Sequence, residues 1–192
     1  LAPSNRPLTD VGVGALVGLR ALRHLALLRG IVLDSPDALG GVLALPNLER
    51  LALGSLKCRH LGVDDILAES FRGARTARSH PPPLRRLKFL KLIHGAALGP
   101  RALQAIVAKA PALERFELSC DPVKYDDLAH LFQHFHQFPA LRTIVLLSMW
   151  NDSGKFTNHD VDRLRALLAP IDFRTGAASW SPSNHLPDLF RY

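Results

Sequence analysis

The chain has 192 residues, with 24 Lys and Arg against 17 Asp and Glu, and a formal net charge of +7 at pH 7. With 47% hydrophobic and 21% charged residues, it has the composition of a globular domain or short repeat array, which excludes a disordered polyelectrolyte. No apolar run reaches the roughly 18 residues that a membrane span needs. The positive charge favours acidic partners.

The first predicted element is a helix over residues 8–19, with the sequence LTDVGVGALVGL. No strand precedes it, and the chain starts at Leu1 and not at Met, so we expect a strand and further sequence upstream of Leu1. The polar, proline-containing start has no secretory signal. Only two cysteines occur, Cys58 and Cys120, and we expect both to be free thiols. These features predict an intracellular protein, either cytoplasmic or nuclear.

One short apolar phrase then recurs five times along the chain. In each copy, apolar residues stand at the first, fourth and sixth places, an alternation typical of β-strands. The copies are Leu22-Leu25-Leu27, Leu48-Leu51-Leu53, Leu84-Leu87-Phe89, Leu113-Phe116-Leu118 and Leu141-Ile144-Leu146. Their first residues are 26, 36, 29 and 28 residues apart, and a proline precedes four of the copies by two residues. A period of this length indicates stacked supersecondary units that share one core.

Between the phrases, apolar residues recur with helical spacing. Helices are predicted after Ser35-Pro36 as far as about Leu45, after Gly99-Pro100, from about Asp126, and after Thr157 with Asp160 as a capping box. Most of these segments end at a proline, which cannot continue a helix. The second unit carries extra residues over 72–83, which predict an exposed basic loop.

This unit of strand, turn, helix and proline resembles the leucine-rich repeat family, whose core phrase is L-x-x-L-x-L. The long period resembles the subclass found in ribonuclease inhibitors and in fungal F-box proteins. The resemblance implies an α/β horseshoe solenoid with parallel strands on the concave face and helices on the convex face. It implies one domain fragment over residues 1–192, with five to six repeats over 8–170 and an irregular C-terminal cap over 171–192. Residues 171–173 could start a sixth strand.

In such a solenoid the third and fifth residues of each phrase point to the concave face. The third residues are His24, Arg50, Arg86, Arg115 and Thr143, and the fifth include Lys88 and Glu117 beside the small Ala26 and Ala52. Because arginine matches carboxylates and phosphates, we predict a groove for an acidic or phosphorylated protein ligand. The alternative is a solvated surface that Glu49, Glu114 and Glu117 partly neutralise. Asp121, Trp150 and Asp152 follow strands and are predicted at the rim of the groove.

The sequence contains no recognised catalytic or cofactor motif. G-x-S-x-G, the P-loop and G-x-G-x-x-G are absent. His130 and His134 are four residues apart, but their segment, HLFQH, lacks the glutamate of the H-E-x-x-H zinc motif. Asp64 and Asp65 are interpreted as residues that stabilise a helix start. We therefore predict that the protein is not an enzyme and has no cofactor or metal site.

For function, the resemblance implies binding of a protein ligand. In F-box proteins such a domain selects targets for a ubiquitin ligase, and a cullin-ligase adaptor binds an F-box, which here would lie upstream of Leu1. The alternative is a leucine-rich repeat regulator of a small GTPase that acts through rim residues. A third interpretation is nucleic-acid binding by the basic concave face, which the lack of stacking aromatics there disfavours. No membrane partner is expected.

Overall fold

The computed structural model of the chain describes residues 7–28, 30–73, 84–93, 98–120, 129, 132–148 and 158–177. Within them, the α-helices are α1 (Asp10–Gly14), α2 (Pro36–Leu43), α3 (Val63–Gly73), α4 (Pro100–Lys109) and α5 (Asn158–Leu168). The 3-10 helices are Ala15–Gly18 and Gln133–Gln137. The strands are β1 (His24–Leu27), β2 (Ile31–Leu33), β3 (Arg50–Leu53), β4 (Leu56–Cys58), β5 (Phe89–Leu92), β6 (Arg115–Cys120), β7 (Thr143–Ser148) and β8 (Asp172–Ala177).

The main sheet contains six strands in the order β1-β3-β5-β6-β7-β8, and every neighbouring pair is parallel. A helical segment lies between each strand and the next one in this sheet. The predicted α/β architecture, with parallel strands and intervening helices, is confirmed. A second, smaller parallel sheet pairs β2 with β4, and Leu8 extends it through a bridge to Ile31. These short strands were not predicted, because three residues are too few for alternation to be seen.

The hydrophobic core lies between the main sheet and the helices. In four neighbouring strands of this sheet, the second residue is fully buried and aligned in register with its neighbours. These residues are Leu51, Leu90, Phe116 and Ile144. The helices contribute the buried side chains Leu39, Leu43, Ile66, Leu103, Ile106, Leu164 and Leu168. Helices α1, α2, α3 and α4, the 3-10 helix Gln133–Gln137 and α5 contact one another in that order. Each unit therefore buries its apolar face partly against the next, at about 1.5–3 kcal/mol for each large side chain.

An aromatic cluster forms the core beneath β6, β7 and β8. Phe132 and Phe135 are fully buried. They belong to the helical segment predicted from about Asp126, whose start lies outside the described residues. The ring of Phe135 lies 5.2 Å from that of Phe116 and 5.8 Å from that of Phe138, between centroids. Phe132 packs edge-on to Phe135 at 5.1 Å, and its centroid is 6.0 Å from that of Phe173. Phenylalanines from three successive units thus join the C-terminal strands to the rest of the core.

Two predicted helix starts are present, and one is stabilised by a side chain from a neighbouring unit. Ser35 caps α2, since its Oγ accepts a hydrogen bond from the backbone N–H of Asp37 at 3.1 Å. Helix α4 begins at Pro100, as predicted, but its cap comes from Asp64 in the first turn of α3. Asp64 Oδ1 accepts hydrogen bonds from the backbone N–H groups of Gly99, at 2.7 Å, and Ala102, at 2.9 Å. This carboxylate therefore satisfies orphan donors of the next helix and ties two units together.

The register predicted for the third unit is wrong. The observed strand aligns Leu51 with Leu90, so the phrase is Leu87-Leu90-Leu92, three residues later than the predicted one that starts at Leu84. Both frames satisfy the same apolar pattern, which is why the sequence permits either. Leu84 instead lies in a turn with φ 65°, and the N–H of Leu87 donates to the carbonyl of Leu84 at 3.0 Å.

The two ends of the described chain differ in how they match prediction. The helix expected over residues 8–19 is present as α1 continued by the 3-10 helix Ala15–Gly18. The predicted irregular segment over 171–192 is wrong for residues 172–177, which form β8 against β7, as the sixth-strand prediction anticipated. Residues 178–192 lie outside the described residues. Helix α5 is present as expected, but its predicted capping residue, Thr157, also lies outside them.

Candidate functional site

The side of the main sheet that faces away from the core, here called the open face, carries two columns of side chains. They are the first and third residues of each strand, because side chains alternate along a strand and the register aligns neighbouring strands. The first column contains His24, Arg50, Phe89, Arg115, Thr143 and Asp172. The second column contains Ala26, Ala52, Lys91, Glu117, Val145 and Arg174.

Five of the residues predicted for the concave face occupy these columns. They are His24, Arg50, Arg115, Thr143 and Glu117. The predicted positions of Arg86 and Lys88 are wrong, because the three-residue shift of the third unit places both before β5. Arg86 Nη1 donates to Asn47 Oδ1 at 3.0 Å, and Lys88 Nζ lies 3.4 Å from Glu114 Oε1. No run of three adjacent arginines therefore forms on the open face.

Phe89 occupies the place that the sequence assigned to an arginine. The guanidinium carbon of Arg50, on β3, lies 5.1 Å from the centroid of the Phe89 ring, and that of Arg115, on β6, lies 5.9 Å from it. The ring is thus flanked by two cations and is almost completely buried although it is on the open face. Such contacts contribute about 0.5–1 kcal/mol each at exposed sites. The alternative frame LKFLKL, present in the sequence, was the signal that could have identified Phe89.

Glu117 forms ion pairs with two cations at the centre of the open face. Its Oε1 lies 2.6 Å from Arg115 Nη2 and accepts a hydrogen bond from Arg115 Nε at 2.8 Å. Its Oε2 lies 3.0 Å from Nζ of Lys91 on the neighbouring strand. One buried carboxylate is therefore shared by two cations. At the β8 end, Arg174 Nη2 lies 2.6 Å from Asp172 Oδ2 in the same strand.

Arg50 differs from these cations. It forms no ion pair with any residue that the structure describes, and its contact with the Phe89 ring holds the guanidinium on the open face. Its side chain is half-buried. Among the described residues of the first column, Arg50 is therefore the arginine without a carboxylate partner.

A shallow depression that is open to solvent lies beside Arg50. It is lined by His24, Ala26, Arg50, Ala52 and Phe89, with Leu25 and Leu51 beneath. The depression forms because the second column has a small alanine side chain on both β1 and β3. At the corresponding positions, β5 and β6 carry the longer Lys91 and Glu117. The sequence had indicated room at this end of the sheet from the same two alanines.

Several predicted site residues cannot be placed. Asp121, Trp150 and Asp152, the predicted rim, lie outside the described residues, as do His130 and the basic loop beyond residue 73. Arg72 belongs to the last turn of α3, where its Nη1 lies 3.1 Å from Glu69 Oε1.

In the described part of the chain, no group of three or more His, Cys, Asp or Glu side chains is arranged to hold a metal ion. Cys58, on β4, is half-buried and has a free thiol. None of the helices among the described residues is both long enough and apolar enough to cross a membrane.

Comparison with known proteins adds no further assignment. No protein-family model matches the chain, and no curated protein matches it either. Function must therefore be inferred from the residues and geometry of this chain.

Proposed function

We propose that the chain is a protein-binding scaffold of the leucine-rich repeat class, a horseshoe solenoid whose open face is the concave, ligand-binding surface. The support is the coincidence of two features. The L-x-x-L-x-L phrase recurs along the sequence, and strands β1, β3, β5, β6 and β7 that contain it pair in chain order and in parallel. Stacked units of this kind present long, continuous surfaces that bind other macromolecules.

One observation carries the binding role. Arg50, Phe89 and Arg115 lie on three adjacent strands next to the depression over Ala26 and Ala52. Arginine and aromatic side chains beside a concave site are the groups that dominate protein–protein binding energies. The ligand we propose is an acidic protein segment, and the role is binding and not catalysis.

From the family resemblance, we further propose that the protein selects targets for a ubiquitin ligase inside the cell, as an F-box protein does. A cullin-ligase adaptor would bind a region outside residues 1–192. Regulation of a small GTPase through the rim residues Asp121 and Asp152 is the alternative. Nucleic-acid binding ranks below both, since Glu117 pairs with Arg115 and Lys91 and offsets part of their charge on the open face.

The binding role is tested by a matched pair of Ala→Trp variants. A random decapeptide library displayed on phage is selected on the wild-type chain, and the selected peptides are synthesised and titrated. Ala26→Trp fills the depression on the open face, whereas Ala108→Trp adds the same bulk to an exposed position of α4. We expect Ala26→Trp to abolish binding and Ala108→Trp to preserve it. Equal binding by both variants would show that the open face is not the ligand surface.

The cellular role is tested with the full-length protein isolated from its own cells. Co-purification of a cullin-ligase adaptor is expected if the protein is a ligase substrate receptor. Stimulated GTP hydrolysis by a co-purified small GTPase would instead identify the regulator. Nucleic-acid binding predicts an affinity that falls steeply between about 50 and 200 mM salt.

A further inference from the structure

Among the described residues, the main sheet ends one unit earlier than its neighbouring layers at the β1 end. Helix α1, which precedes β1, packs against α2, and Leu8 bridges to Ile31 in the second sheet. The helical layer and the second sheet thus both contain part of a unit before β1. In the main sheet, β1 is the terminal strand of the described part of the chain. One further parallel strand therefore fits beside the outer edge of β1.

The outer edge of β1 presents backbone hydrogen-bonding groups. The carbonyl of Leu27 points to β3, since it accepts a hydrogen bond at 2.6 Å from the N–H of Gly54, the residue after β3. Because backbone groups alternate between the two edges of a strand, the N–H and carbonyl of the preceding residue, Ala26, point to the outer edge. An edge of this kind is a template for an added strand.

The apolar residues of β1 are less covered than their equivalents in the next unit. Leu25 and Leu27 are half-buried. Their partners on β3, Leu51 and Leu53, are at most 1% exposed. Leu19, shortly before β1, is 50% exposed. A strand with apolar residues beside Leu25 and Leu27 would complete their burial, and the hydrophobic effect would stabilise it there.

The sequence around Leu8 does not provide such a strand at the repeat spacing. The second-sheet strand starts seven residues after β1 starts (24 to 31) and six after β3 starts (50 to 56). Counted back from Leu8, the strand of the first unit would fall at residues 1–4 or 2–5, rather than upstream of Leu1. Its two inward places would be Ala2 and Ser4, or Pro3 and Asn5. None of these is a large apolar residue, so this segment does not supply the missing apolar contacts.

The charges at the β1 end favour an acidic occupant. The residue just before each strand alternates in sign from β1 to β7: Arg23, Glu49, Lys88, Glu114 and Arg142. Arg23 Nε lies 4.0 Å from Glu49 Oε1, and an acidic residue on the other side of Arg23 would continue the alternation. Arg20, also exposed, forms no ion pair with any described residue. A second copy of the chain would bring the same positive charge to this edge, whereas an acidic segment complements it.

We infer that an extended acidic segment of a partner protein pairs with β1 and adds a parallel strand to the main sheet. In register, an acidic residue lies beside Arg23, and apolar residues lie beside Leu25 and Leu27. The ligand pattern is therefore acidic, any, apolar, any, apolar, which the chain itself has over residues 49–53 and 114–118. This inference rests on the proposed binding of an acidic protein segment and specifies how that segment is held.

Backbone methylation of the ligand tests the added strand. The probes are the decapeptides selected on the wild-type chain, and we expect them to share the pattern above. By analogy with Leu27 on β1, the backbone groups of the ligand's apolar residues point along the sheet to the next strand, which is β1. Methylating the nitrogen of one of these residues should weaken binding about tenfold, whereas methylating that of the residue between them should have no effect.

A pair of proline variants tests the edge on the chain itself. Ala26→Pro removes an N–H from the outer edge of β1, and sheets tolerate proline at such a place. Thr175→Pro is the matched control at the opposite edge of the sheet. The N–H of Asp172 donates to β7, so that of Thr175, three residues later, points away from it. We expect Ala26→Pro to weaken binding at least tenfold and Thr175→Pro to preserve it, with urea unfolding showing that both variants fold.

A charge swap tests the register without changing the backbone. Arg23→Glu should weaken binding of the selected peptides, and a peptide with Lys in place of its acidic residue should recover it. Arg142→Glu is the control, since Arg142 is exposed and belongs to the same row at the far side of the sheet.

Four outcomes overturn the inference. They are selected peptides without the pattern, equal effects of the two methylations, equal binding by the two proline variants, and no recovery in the charge swap. Loss of peptide binding in the full-length protein also overturns it, because another strand of the same polypeptide would then cover the edge. If Ala26→Trp abolishes binding while the methylations have equal effects, the open face is the ligand surface and only the added strand is wrong.

Discussion

The buried carboxylate of Glu117 is predicted to stabilise the fold more than any exposed ion pair of the sheet. Its side chain is 7% exposed, and its partners Lys91 and Arg115 are 16% and 42% exposed. Glu117→Ala leaves the Lys91 ammonium largely buried without a counter-charge. Removing one partner of a fully buried pair costs about 3–5 kcal/mol. Because Lys91 reaches some water and Arg115 much more, we expect about 2–3 kcal/mol here.

Glu114→Ala is the control for this prediction. It removes the same charge from the residue before β6, but Glu114 and its partner Lys88 are 47% and 58% exposed. Exposed pairs contribute about 0–1 kcal/mol. Urea unfolding followed by circular dichroism measures both variants. With a slope of about 2 kcal/mol per molar urea, Glu117→Ala should lower the midpoint by about 1 M and Glu114→Ala by less than about 0.5 M.

Two further variants separate charge from volume at this site. Glu117→Gln keeps the size of the side chain but not its charge, and should lose most of the stability that Glu117→Ala loses. Combining Lys91→Met with Glu117→Ala removes the uncompensated ammonium and should recover part of that stability, since apolar replacements of buried pairs are often neutral. If Glu117→Ala shifts the midpoint no more than Glu114→Ala does, the carboxylate is not a stabilising group and the reasoning is refuted.

Two other stability predictions use the same urea assay. Gly54→Ala should cost about 1–3 kcal/mol, because its Cβ would lie 2.4 Å from the carbonyl oxygen of Leu28. Gly30→Ala, with open space around it, should cost less, and a larger loss there would contradict the steric argument. Leu90→Ala should cost about 2–5 kcal/mol, since Leu90 is fully buried, whereas Lys88→Ala should stay within about 0.5 kcal/mol. The rejected register places both Leu90 and Lys88 outside the core, so a loss for Leu90→Ala as small as that for Lys88→Ala would contradict the observed register.

The sequence contained enough information to locate most strands and two helix starts. The phrases at Leu22, Leu48, Leu113 and Leu141 have one frame each, and each leads into a strand of the main sheet in the predicted register. Alternation and period are local properties, so they can be recognised without knowledge of neighbouring units. The same holds for Ser35-Pro36, whose capping bond spans two residues.

Part of the candidate site was predictable for the same reason. The columns through His24, Arg50, Arg115 and Thr143 follow directly from strand alternation once the frame is known. The two alanines that leave the depression open also appear in the sequence, at corresponding places of the first two phrases.

The frame of the third unit, and hence the centre of the open face, depends on contacts between units. Leu84 and Leu87 both start an acceptable phrase, and the sheet selects Leu87 because that frame buries Leu90 beside Leu51. The pairing of Glu117 with Lys91 likewise joins groups 26 residues apart. No local pattern encodes such contacts. They arise because parallel stacking brings corresponding positions of successive units within about 5 Å of each other.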